Sequence, residues 1–170
     1  MLLLKTFGTL CDSPPPIRNF DMESFLGDWY FIYAGSAEPD YSLPECFWLT
    51  LNSDLDGTLV EEYFSYDISS DTFDSGVLDA KYHKSYINFG AAIGMFLITW
   101  VEYESFAVAY QCDENINLSP TIYVLARDAD FDSADRTLLK SIKTGIEKEL
   151  QHFNPDWLEE VTQQGDCEYA

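Results

Sequence analysis

The apolar and polar positions fall into a long stretch of two-residue alternation followed by one stretch of helical period. Between Asp28 and Arg127, eight segments rich in aromatic and β-branched residues are separated by turn formers: 29–34, 47–51, 59–66, 77–82, 86–89, 95–100, 105–111 and 121–126. In 47–51 the alternation sets Phe47, Leu49 and Leu51 on one face and Trp48 and Thr50 on the other. Asp56-Gly57 marks a hairpin turn, residues 69–75 a second turn, and Gly90 to Gly94 a break. Eight short strands at near-regular spacing predict an all-β barrel or sandwich. Asp21 to Leu26 predicts one helical turn ahead of Gly27.

After Phe131 the period changes. With Ser133 as N-cap, Leu138, Leu139, Ile142, Ile146 and Leu150 share one face and predict a helix over 133–153. Pro155 bars its continuation. Gly145 costs this helix about 1 kcal/mol relative to Ala, so packing against the barrel must hold it. Residues 1–19, with Pro14-Pro15-Pro16, read as an N-terminal arm and 154–170 as an acidic tail. The whole chain, 1–170, has the length of a single domain, with 28–127 as its barrel.

Charge narrows the partners. Thirty acidic against nine basic residues give a net charge of -21, which repels nucleic acid and anionic membranes. No run approaches the roughly 18 apolar residues of a membrane span, so no membrane insertion is expected. Met1 to Leu4 is too short for the apolar part of a signal peptide. Cys11, Cys46, Cys112 and Cys167 form no CxxC pair. Their even number points to two structural disulfides and an oxidising compartment, with three pairings open from the sequence. No Ser/His/Asp set or metal-ligand cluster is legible, and His83 and His152 are the only histidines. A binding protein, not an enzyme, and no metal or catalytic cofactor are therefore expected.

Three motifs then carry a resemblance. Asn19-Phe20-Asp21 through Gly27-Asp28-Trp29-Tyr30 resembles the first lipocalin motif, a Gly-x-Trp after a helical turn. Val101-Glu102-Tyr103 stands where that family has Thr-Asp-Tyr, with only the Tyr retained, and Leu125-Ala126-Arg127 is similar to its third motif. The resemblance implies an eight-stranded antiparallel up-and-down lipocalin barrel with one C-terminal α-helix packed outside. It also implies that Gly27, Trp29 and Arg127 close one end, Arg127 stacking on the indole. The cysteines look like those of the subgroup containing apolipoprotein D, insect bilin-binding proteins and crustacyanins. That likeness implies Cys11–Cys112 and Cys46–Cys167 disulfides, secretion, and a lipophilic ligand such as a carotenoid or bile pigment (biliverdin). Dimerisation, with itself or a related chain, is common in the family.

Alternation counted from the motif residues predicts the side chains facing the cup. These are Phe31 and Tyr33; Phe47, Leu49 and Leu51; Tyr63, with Glu61 beside it; Phe96, Ile98 and Trp100; Ala107, Ala109 and Gln111; and Thr121, Tyr123 and Leu125. Tyr41 is expected as a lid. The alternative ligand is a small cation such as a biogenic amine, paired with Glu61 or Glu62. A further alternative is an allergen-like interaction protein with no dedicated ligand. Asn117-Leu118-Ser119 is a glycosylation sequon, followed by Pro120.

Overall fold

The computed structural model describes residues 10–90, 93–131, 136–163 and 165–169. Ser133, expected as the helix N-cap, and residues 1–9 lie outside these. The strands are β1 Gly27–Ser36, β2 Trp48–Ser53, β3 Leu59–Asp67, β4 Thr72–His83, β5 Tyr86–Asn88, β6 Met95–Glu102, β7 Phe106–Asp113 and β8 Leu118–Ala126. Each pairs antiparallel with the next, and β1 pairs with both β2 and β8, so the sheet closes into an eight-stranded up-and-down barrel. Closure leaves no long free edge. Between β3 and β4 the turn is tighter than the expected 69–75. The Asp67 carboxylate accepts from the Ser69 and Ser70 amides, which lets pairing run to Asp67–Thr72.

β1 outruns β2, which covers only Gly27 to Tyr30. The tail fills that gap. β9 (Glu159–Glu160) pairs with Tyr33 and Ala34, and the Gln163 amide donates to the carbonyls of both Phe31 and Phe47. Backbone groups that the missing β2 pairing would have orphaned are thereby satisfied. Cys46–Cys167 holds this tail down, and Cys11–Cys112 ties the arm to β7. Both pairings are those the resemblance implied.

At one end the short helix α1 (Met22–Phe25), capped by Asp21, lies under the barrel. Phe25 stacks 4.8 Å from Trp29, which is fully buried, and the Trp29 indole donates to the Phe25 carbonyl. At the other end the chain crosses in segments 37–47, 68–71 and 114–117, and Ile93 and Gly94 lead into β6 there.

The helix α2 (Arg136–Glu149) packs Ile142 and Ile146 on the outer wall, against Ile32, Val108, Ile122 and Val124. It stops short of the expected residue 153. Leu150 still donates back to Ile146, and Asn154 then caps a separate 3-10 turn, Pro155–Trp157. Two bulges face this helix. The β1–β8 register slips between Phe31 and Tyr33, and the β6–β7 register between Ile98 and Trp100. A bulge adds one residue and reverses the alternation beyond it. Tyr33 and Trp100, expected inside, therefore belong to the outer cluster under α2, while Ala34 and Val101 take the inward places.

Candidate functional site

The cup is built from the inward faces of all eight strands. Phe31, Leu49, Leu51, Ile98, Ala107, Ala109, Tyr123 and Leu125 are buried in its core, with Phe47, Tyr63 and Phe96 packed against them. Rings meet across it: Phe31 lies 4.8 Å from Phe47 and 5.5 Å from Tyr123, and Phe96 lies 5.4 Å from Tyr123. The Tyr63 phenol lies over Gly76, where a Cβ would stand 2.3 Å from the ring and turn it aside. The free space at the base is about 20 Å³, room for roughly one water molecule.

Near the mouth a hydrogen-bond relay crosses the interior. Tyr41 donates to the Tyr123 hydroxyl (3.0 Å), Tyr123 to Gln111 Oε1 (2.9 Å), and Gln111 Nε2 to the Ile93 carbonyl (2.6 Å). Segment 37–47 and Ile93, just ahead of β6, are thus tied through the cup. Burial raises the Tyr41 and Tyr123 hydroxyls above the ordinary tyrosine value, so both are neutral donors at physiological pH. Thr121, also on the inward side, donates to Ser36 (2.8 Å).

Glu61 is the anomaly. It sits on β3 opposite Leu51 and Leu78, near the closed end, and shares the small cavity with Phe25, Trp29, Leu51 and Phe89. It is 8% exposed; no hydrogen bond or ion pair reaches its carboxylate among the described residues, and its oxygens are not fully enclosed. Burial lifts it to about 7, well above its ordinary value. Glu62 takes the opposite, outer face of the same strand. Phe25, Ile87 and Phe89 also line the base and were not foreseen. Phe25 belongs to the plugging helix, and Ile87 to a strand of three residues too short to show an alternation.

A closed eight-stranded antiparallel barrel, plugged at one end by a short helix and an Arg-capped Trp and flanked by one late helix, is the lipocalin fold. Known structures share it. A biogenic amine-binding protein superposes with a TM-score of 0.70 at 14% identity, covering 94% of this chain and 91% of its own. The tryptamine complex of the amine binding protein of Rhodnius prolixus gives 0.68 at 16% identity, covering 94% and 90%. Insecticyanin from the tobacco hornworm Manduca sexta gives 0.69 at 12% identity, covering 89% and 85%. At such identities the likeness is one of fold. No protein-family model matches the sequence, and no curated protein does.

Proposed function

We propose that the barrel is a binding site for a small lipophilic ammonium compound, with Glu61 as the group that pairs its charge. The observation behind this reading is the unpartnered carboxylate at the base of an apolar, aromatic cup. A buried ion without a partner is costly, several kcal/mol even after relaxation. A ligand bringing an ammonium group to Glu61 relieves that cost, and the surrounding Phe25, Trp29, Phe31 and Phe96 rings suit an aromatic body. The amine-binding proteins that share the fold are consistent with this reading.

A carotenoid or bile pigment, the first expectation from the resemblance, has weaker support. The aromatic lining suits it, but a carotenoid offers no charge to Glu61; with about 20 Å³ free in the cup, either kind of ligand requires Phe31, Phe96 and Tyr123 to move aside. Two disulfides and the strongly acidic surface fit a secreted carrier. We propose no catalytic role. Native mass spectrometry of the protein from its natural source tests the reading. A bound mass that dissociates as an amine supports it. A bound coloured polyene or tetrapyrrole replaces it with the pigment reading. An empty barrel that takes up no ammonium probe favours a protein acting through its loops.

A further inference from the structure

The cations of this protein are not spread evenly over its two ends, although both ends carry exposed acids, Asp21, Glu23, Asp28, Asp54, Asp56 and Glu104 among them at the closed end. At the mouth, segment 37–47 carries exposed Glu38, Asp40 and Glu45, the β3–β4 end exposed Asp71 and Asp74, and the β7–β8 turn exposed Glu114. Among the described residues these segments, with Ile93 and Gly94, hold no Lys, Arg or His. The described cations lie elsewhere. Arg18, Lys81, Lys84 and Arg127 are at the closed end, and Lys140, Lys143 and Lys148 are on α2. Below the acid-only rim, the cup ends in the unpartnered carboxylate of Glu61, 8% exposed. Once Glu61 is ionised, rim and base present the same sign of charge, separated by aromatic rings that part to admit a ligand.

We propose that the mouth is an electrostatic funnel that captures organic cations from solution and excludes anions, so that Glu61 selects the ligand after the rim has steered it in. This rests on the ammonium reading of the cup. Clefts lined by one sign of charge between apolar walls raise association rates by about 10- to 1000-fold, an effect that salt removes. Exposed rim charges are screened beyond roughly 10 Å at 0.1 M salt, whereas the buried pair with Glu61 is screened far less. Steering therefore belongs to the association rate, and the pair with Glu61 to the dissociation rate.

Stopped-flow mixing with tryptamine and with tryptophol, its neutral alcohol isostere, tests this. In the intact protein the tryptamine association rate falls about tenfold between low and high salt, while that of tryptophol stays flat. Two variants separate local steering from net charge. One neutralises the mouth (Asp40→Asn, Glu45→Gln, Asp74→Asn). The other removes the same number of exposed charges at the closed end (Glu23→Gln, Asp79→Asn, Glu102→Gln). The mouth variant slows tryptamine association at low salt by about threefold or more, and the closed-end variant changes it less than twofold. Equal slowing in both variants, or none in either, overturns the funnel while leaving the ammonium reading in place. Failure of tryptamine to bind at all removes both.

Discussion

The Arg127 guanidinium lies 3.8 Å over the centre of the Trp29 ring. It also donates to the carbonyls of Ser24, Leu26, Asp28 and Tyr103, joining α1, the start of β1 and the β6–β7 turn. Gly27 makes the approach feasible: its φ is +100°, and a Cβ there would come within 3.3 Å of an Arg127 nitrogen. Lys at this position keeps the charge but loses the planar fork and most of the ring contact. Arg127→Lys is therefore expected to cost about 2–4 kcal/mol, read as a lower midpoint in urea unfolding. A loss below half a kcal/mol would remove the closed end as a major source of stability.

Gly145 lies in α2 beside a hollow of about 120 Å³ between the helix and the barrel wall, lined by Trp100, Val108 and Ile122. A Cβ there meets nothing within 4 Å. Gly145→Ala is expected to stabilise the protein by about 1 kcal/mol, through helix propensity and reduced freedom of the unfolded chain. The midpoint of thermal unfolding should rise by about 3 °C. A fall would mean that the hollow closes in solution.

The two bulges mark where reading by alternation ended. Counting inward positions from Trp29 worked as far as Phe31, and counting along β6 worked as far as Ile98. Ile32 and Thr99 then each add a residue, and neither carries the glycine that would have flagged it. On β2, β7 and β8 the inward positions stay in one register through the core, so Leu49, Ala109 and Tyr123 were legible as inward. Trp29, Arg127 and the cysteines were legible because they act through residue type. The room left in the cup was not, because alternation assigns faces and not how far each ring reaches across.

Tyr41 is the outer link of the relay through Tyr123 and Gln111. Tyr41→Phe removes one hydrogen bond and little else, so stability should fall by only about 1 kcal/mol. Amide hydrogen exchange in segment 37–47 should rise well beyond that in the barrel strands. Tyr123→Phe leaves Gln111 Oε1 without its donor and should cost more, about 1–3 kcal/mol. Unchanged exchange in Tyr41→Phe would show that the loop is held by other contacts.

Glu61 makes the stability of the ligand-free protein depend on pH with an unusual sign. Its folded value, about 7, lies above its unfolded value near 4.5. Between the two the folded state binds more protons, so stability falls as pH rises from about 4.5 to about 7 and levels off above. The full effect is on the order of 3 kcal/mol. Carboxylates held low, such as Asp12 and Asp67, act in the opposite direction, and only at more acid pH. Glu61→Gln should abolish the decline between pH 5 and 8 in urea unfolding. A wild-type profile that is flat or rising there would place Glu61 in contact with water or with a cation of the protein.

The proposed role of Glu61 is to pair with the charge of the ligand. Calorimetric titration of tryptamine into the wild type and Glu61→Gln at pH 8, with tryptophol alongside, tests it most directly. Saturable wild-type binding that favours tryptamine over tryptophol is expected. Glu61→Gln should lose at least about tenfold in tryptamine affinity, with tryptophol unaffected. Equal affinities for the two compounds, or tryptamine binding that survives Glu61→Gln intact, would contradict it.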